Sequence, residues 1–258
     1  SSGRESQPFF FNDHDPRQRS QTFQVERADF DKLLFDNAAT KGAHCVDQTR
    51  ALEAIFDGDR AVGVRLQSPG GSRQDVRAKV VVDATGQQAL LASRLGLRVD
   101  NPDLHKAAIW TYYRGAHREP GEHGGATIIL HTEDKAAWFW YIPLSDDVTS
   151  VGVVSDNDYL LKGRGGPEQV YEEELTKCPA VQRRVEGAER VDRHRVAREF
   201  SYSTSRHAGD GWVLVGDAWG FIDPVYSSGV YFALKTGEMA ADSIAEGLHR
   251  NDTSAKQL

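Results

Sequence analysis

The stretch WVLVGDAWGFIDPVYSSG, residues 212–229, joins a short apolar run to the opening of a long helical segment. Trp212 to Val215 reads as a buried strand closed by Gly216-Asp217. From Ser228, the residues Leu234, Met239, Ala240, Ile244 and Leu248 recur at mostly helical spacing as far as about His249. A strand, a turn and a helix in that order form the joint where open α/β sheets hold ligands, in the crevice beyond the carboxyl end of the strand. Gly216 is expected to keep a side chain out of a ligand's path, and the Asp217 carboxylate can accept hydrogen bonds from sugar-type hydroxyls. The plainer reading of Asp217 is a turn cap. Further on, Pro224 fixes the backbone and Ser227 is placed to cap the helix. The amides of Ser228, Gly229 and Val230 then stand at the positive end of the helix dipole. Such a helix start suits an anion or an electron-rich ligand edge.

A second stretch has the same shape. Lys79-Val80-Val81-Val82-Asp83 predicts a strand covered on both faces. Ala84-Thr85-Gly86 is a turn of small residues that lets a backbone approach a flat or phosphorylated ligand, and a helix over 88–95 follows. Alone, this joint is ordinary α/β architecture; beside the first it predicts a ligand site.

Around these two joints the chain alternates turn chemistry with β-branched and aromatic runs. The opening 21 residues are polar around Phe9–Phe11 and read as an irregular arm. Phe30, Leu33, Leu34 and Ala38, with Gly42 as a stop, predict a surface helix with one buried face. Runs at 44–46, 51–56, 61–67 and 75–78, broken by Asp57-Gly58-Asp59 and Pro69-Gly70-Gly71, predict a small antiparallel meander. Runs at 107–114, 126–131, 138–142 and 149–154 predict one broad antiparallel sheet. Helices follow at 167–177 and 181–185, then strands at 195–202 and 212–215. The fold class expected is mixed α/β, a partial Rossmann-like region interleaved with an antiparallel sheet. Residues 1–105 and 203–258 are assigned to the first region and 106–202 to the second.

Composition excludes several classes. A chain of 258 residues with 39% hydrophobic and 9% aromatic residues can bury a sizeable core. With a formal charge of −7 and no basic cluster to offset it, neither nucleic acid nor an anionic membrane is expected as a partner. Cys45 and Cys178 have no metal spacing, so a reducing, cytoplasmic setting is expected, and no run approaches the length of a spanning helix. His117 and His123 flank Glu119 and Glu122 in a Gly- and Pro-rich loop without metal geometry, and no metal site is expected there.

The residues of the two joints carry a resemblance. Gly216-Asp217 through Gly229 is similar to the FAD-contacting segment of flavoprotein monooxygenases of the p-hydroxybenzoate hydroxylase fold, and Val81 to Gly86 resembles their second dinucleotide-binding stretch. Phe221, Pro224, Ser227 and Gly229 match the FxxPxxSxG pattern of flavin-dependent halogenases. Trp138-Phe139-Trp140-Tyr141-Ile142-Pro143 matches the WxWxIP signature of the same family. The resemblance runs from about Phe23 to the C-terminus.

It implies an FAD-dependent halogenase, in which reduced FAD and O2 oxidise a bound halide and the hypohalous acid formed travels through a tunnel to an electron-rich substrate. Ala84, Thr85, Gly86, Gly216, Asp217, Pro224, Gly229 and Val230 would contact FAD. Ser228 and Gly229 would offer amides to chloride or bromide. Trp138 and Trp140, with Ile142 and Pro143, would form a wall that disfavours direct hydroxylation, although inward core aromatics at period two would look the same. A separate flavin reductase and a free or carrier-bound aromatic substrate are the partners implied.

The chain also departs from the family pattern. Tyr226 and Ser228 stand where tryptophan halogenases place Glu and Thr, which points toward phenols, pyrroles or carrier-tethered aromatics. Ala137 replaces a usual Gly, and Trp219 is bulky beside Asp217. No GxGxxG occurs. The family's N-terminal βαβ unit and the lysine that directs hypohalous acid are therefore expected upstream of Ser1, and no catalytic residue is assigned. Two alternatives stay open: a monooxygenase or reductase of the same fold, and a non-catalytic flavoprotein-like remnant that binds a ligand or partner.

Overall fold

The structure, a computed structural model, describes residues 6–14, 22–102, 104–198, 201–222, 225 and 227–258. Contacts divide the chain into two compact units, 1–43 with 106–199 and 44–105 with 200–258. The grouping expected from the sequence placed 1–43 elsewhere, with 44–105. In the structure Gln24 Nε2 donates to the Gly125 carbonyl at 2.5 Å and Ser145 Oγ to Glu26 at 3.2 Å, which ties this segment to the sheet unit.

The sheet unit is built on the broad antiparallel sheet that the sequence predicts. Strands Glu189–Arg190 and Arg195–Arg198 pair along one edge of Lys106–Arg114, and Val148–Asp156, Trp138–Pro143 and Ile128–His131 follow in that order from its other edge. Side chains alternate between the two faces. Ile109, Phe139, Tyr141, Val151 and Val153 point into a core closed by Leu160, Val170, Tyr171 and Val181. The last three belong to helices Pro167–Thr176 and Pro179–Val185, each started by a proline in its first turn, where no intrahelical N–H is required. Beneath them Glu174 is fully buried and cannot stay charged without partners. Arg164 holds it at 2.6 Å, Lys177 at 2.8 Å and the Tyr159 hydroxyl at 3.2 Å.

The helix expected after Ala28 spans Arg27–Thr40, yet it has no buried residue, and Leu33 is 64% exposed. Leu33, Leu34 and Phe35 are consecutive and fan over about 200° of the helix, so they form no single stripe. Ion pairs Arg27–Asp31 at 2.8 Å and Lys32–Asp36 at 2.6 Å brace it instead.

In the second unit strands Arg50–Asp57, Arg60–Gln67 and Arg73–Arg77 form the expected meander, while 44–46 is not a strand. Val81–Asp83 pairs in parallel with Trp212–Leu214, which also pairs with Ala208–Gly209. The expectation that this strand is covered on both faces is corrected: Val82 is 45% exposed, because only Val81 and Asp83 of the three turn inward. The helix expected over 88–95 is a 3-10 turn, Gly86–Gln88, and a short helix, Leu90–Arg94, broken at Ala89 with φ +43°.

The last helix spans Gly229–Arg250 and ends on Asn251 in the left-handed region. Its inward side carries Ala240 and Ile244, which pack with Val213 and Val215, and Gly247, where a Cβ would lie 2.4 Å from the Asp252 carbonyl oxygen. Leu234 and Met239, expected on that side, are 50% and 58% exposed. No helix among the described residues is long and apolar enough to cross a membrane.

Candidate functional site

The parallel register Val81↔Trp212 to Asp83↔Leu214 sends both strands out of the same end of their sheet. Ala84-Thr85-Gly86 and Gly216-Asp217-Ala218 therefore leave side by side, and the amide of Val215 donates to the Asp83 carbonyl at 3.0 Å between them. This is the crevice position predicted for a ligand.

Asp83 organises the first turn. Its carboxylate, 3% exposed, accepts from the Thr85 amide at 2.9 Å and the Thr85 hydroxyl at 2.7 Å through one oxygen. Through the other it accepts from the Leu91 amide at 2.7 Å. Thr85 Oγ1 also accepts from the Leu90 amide at 3.0 Å. With the hydroxyl hydrogen given to Asp83, the backbone of 84–86 is the surface this turn can present. Gly86 has φ +63° and a Cβ placed there would meet nothing within 4 Å, so the turn offers an open cradle.

Gly216 serves a different purpose from the one expected. Its φ is +56°, and a Cβ would sit 3.2 Å from Ala233 Cβ on the long helix, not in a ligand's path. The Gly216 amide donates to Thr236 Oγ1 at 2.8 Å, and that hydroxyl donates to the Phe232 carbonyl at 2.7 Å. The glycine thus docks the turn onto the helix and leaves Asp217 half-buried at the rim.

Ser227 does not cap that helix. It lies at φ +52°, and Ser228 occupies the cap position without a side-chain cap hydrogen bond. Ser228, Gly229 and Val230 are half-buried at the helix start, where first-turn amides have no partner within the helix. A Cβ on Gly229 would lie 3.1 Å from the Phe221 ring. Pro224 and Tyr226 lie outside the described residues. The open cradle at Gly86, the Asp217 carboxylate and this helix start together fit a flavin dinucleotide: close backbone approach for its phosphates, an acceptor for its hydroxyls, and dipole-backed donors for negative charge.

The tryptophans lie in the sheet unit. Trp138, Trp140 and Ile142 are half-buried on the face away from the helices, while Phe139, Tyr141 and Pro143 are buried on the other. Pro143 therefore anchors the strand and is not on the tryptophan face. Trp140 is directly cross-strand from Gly152, which is opposite Trp110. Its indole nitrogen donates to Ser150 Oγ at 3.1 Å. Trp110 and Trp138 stand 6.1 and 6.5 Å from the Trp140 ring. A Cβ at Gly152 would be 2.2 Å from Trp140 Cζ2, so the glycine seats that indole.

The role of Asp83 as organiser, Gly152 and Trp110 were all missed in the sequence. Signals existed: Asp-x-Thr is local hydrogen-bonding chemistry, and a glycine inside a strand marks close approach. No group of three or more His, Cys, Asp or Glu able to hold a metal occurs among the described residues. His117 and Glu119 stand 3.8 Å apart in the loop, and Glu119 pairs with Arg184 at 2.5 Å.

The sequence model of the family described as tryptophan halogenase matches residues 11–256. The chain is 34% identical over 234 residues to the 1H-pyrrole-2-carbonyl-[peptidyl-carrier protein] brominase of Pseudoalteromonas luteoviolacea, covering 90% of this chain and 57% of that protein. It is 31% identical over 249 residues to the corresponding chlorinase of Pseudomonas fluorescens, covering 92% and 53%. Among solved structures, the myxobacterial chondrochloren halogenase CndH superposes with a TM-score of 0.87 at 31% identity, over 94% of this chain and 56% of the other. The flavin-dependent brominase Bmp2 gives 0.82 at 33% identity, over 87% and 56%. The mixed α/β fold agrees with these structures, and the chain spans about half the length of the curated relatives it matches.

Proposed function

The chain belongs to the tryptophan halogenase family, and from that premise we propose that it carries the flavin and halide surfaces of an FAD-dependent halogenase. The observation that supports this reading most directly is the pair of turns leaving one end of a parallel strand pair, with Asp217 at the rim and a helix start that follows. The unit containing 44–105 and 200–258 would be the flavin-binding part and the broad sheet the substrate-binding part.

Bound reduced FAD would supply, with O2, the two-electron oxidation of halide. Within this chain the backbone of Ala84, Thr85 and Gly86 lets phosphates or a ring come close. Asp217 accepts hydrogen bonds from the ribityl chain, and Gly216 fixes the turn that presents it. Gly229 and Val230 line the helix approach, and the amides of Ser228 and Gly229 hold chloride or bromide at the positive helix end. Trp138 and Trp140, with Ile142, present an aromatic surface that keeps water from an electron-rich ring. The carrier-linked pyrroles named for two relatives make a carrier-bound or free pyrrole or phenol the substrate class proposed, with a separate flavin reductase as electron donor.

The test is a titration of the purified chain with FAD, followed by reductase, NADH, bromide and a phenol or pyrrole. A bound flavin band and a brominated product are expected. Hydroxylated product without bromination would assign the fold to monooxygenase chemistry. Absence of any flavin band would overturn the flavin surface for this chain and favour an incomplete or non-catalytic form.

A further inference from the structure

Three carbonyl oxygens of the segment that follows Gly216 are taken up by one neighbouring stretch, Tyr202–Thr204. The Tyr202 hydroxyl donates to the Asp217 carbonyl, and Thr204 Oγ1 donates to the Trp219 carbonyl at 2.8 Å. The Tyr202 amide donates to the Phe221 carbonyl at 2.8 Å, and the Phe221 amide returns a bond to the Tyr202 carbonyl at 2.9 Å. Gly220 runs so close that a Cβ there would lie 2.9 Å from the Tyr202 oxygen. Tyr202 is itself fixed. It is 2% exposed, its strand pairs with Arg98–Asp100, and the Arg98 guanidinium lies 3.9 Å from the centre of its ring. Burial pushes the phenol up to about 12, against the opposing pull of Arg98, so it keeps its proton and remains a donor at neutral pH.

We propose that Tyr202 is a positioning residue for the Asp217–Phe221 turn, clamping its carbonyl edge so that Asp217 and the approach to Gly229 are held toward the flavin. This rests on the flavin reading above for its consequence, but not for the clamp itself. A side-chain hydrogen bond to one carbonyl is a local device. Its removal should free this turn without unfolding the unit, because the ring, the strand pairing and the Phe221 bridge remain.

The experiment compares the wild-type chain with Tyr202→Phe and Thr204→Val by amide hydrogen exchange over 216–222, FAD titration, the absorption spectrum at saturating FAD and thermal unfolding. In Tyr202→Phe, exchange over 216–222 is expected to accelerate while the Arg50–Arg77 meander stays at wild-type rates. The FAD dissociation constant should rise about 3- to 10-fold, the scale of one lost hydrogen bond. The spectrum of the bound flavin should shift, which loss of global stability alone would not produce. Thr204→Val should move the same readouts in the same direction by less, and it carries the comparison if Tyr202→Phe does not fold. Unchanged exchange in both variants would overturn the clamp. Faster exchange with unchanged affinity and spectrum would overturn its role toward the flavin. If the wild-type chain binds no FAD, the flavin reading fails for this chain, and the exchange data alone decide the clamp.

Discussion

The tryptophan face and the paired turns support their candidate residues in opposite ways. Trp138 and Trp140 sit on a strand bonded on both sides, with Phe139 and Tyr141 locked into the core beneath them. The turns at 84–86 and 216–221 leave strands only three residues long and are held largely by hydrogen bonds, from the side chains of Asp83, Thr236, Tyr202 and Thr204 and from the Tyr202–Phe221 backbone pair. A surface held by packing tolerates the loss of a hydrogen bond, whereas a surface held by hydrogen bonds does not. The difference teaches where substitutions act locally and where they act on the whole unit.

The largest effect should come from the buried carboxylate of the sheet unit. Glu174→Ala leaves Arg164 and Lys177 without their shared partner and should cost about 3 kcal/mol, read as a lower urea midpoint. The tryptophan environment should stay native in the fraction that remains folded. Next, Asp83→Ala removes an acceptor shared by the buried Leu91 amide and the half-buried Thr85 amide and hydroxyl, and about 2 to 3 kcal/mol is expected. Here stability and FAD affinity should fall together. If FAD binding survives Asp83→Ala, the turns are not held by hydrogen bonds in the sense drawn here, and the contrast breaks.

Gly152→Ala sharpens the other side. The added methyl would overlap the Trp140 ring, so the indole must move, at about 1 to 2 kcal/mol. Altered near-ultraviolet circular dichroism with unchanged FAD affinity is expected. The smallest effect is a pH dependence at His194, which packs 4.7 Å from Tyr171 and has a buried ring nitrogen without a hydrogen-bond partner among the described residues. Burial, reinforced by Arg190, lowers its pKa from the ordinary 6.5. Because the folded state favours the neutral ring, its contribution is complete above that value and is lost as pH falls through the lowered folded value. His194→Phe should flatten the decline in thermal midpoint between about pH 7 and about pH 5.

Much of this was legible in the sequence because the signals were local. Period-two alternation in WFWYIP placed Trp138, Trp140 and Ile142 on one face, and Asp57-Gly58 and Pro69-Gly70 marked the meander turns. What escaped depends on partners distant in the chain. Gly216 reads as a ligand glycine until Ala233 is seen against it, and Ser227 reads as a cap until its positive φ turns it away. The stripe of the last helix was misjudged because size, not hydrophobicity, decides it: Ala240 and Gly247 face inward while Met239 faces out. Asp83 looked like the end of a strand, and its three donors lie up to eight residues onward.

The parallel pairing of Val81–Asp83 with Trp212–Leu214 also bears on how the protein reaches its native state. The two strands can meet only after everything between them has been looped out, since residues 106–199 belong to the other compact unit. Loop closure of that length carries a large entropic cost, and prior collapse of the intervening segment shortens the effective loop. The two paired turns should therefore be among the last parts of the molecule to form.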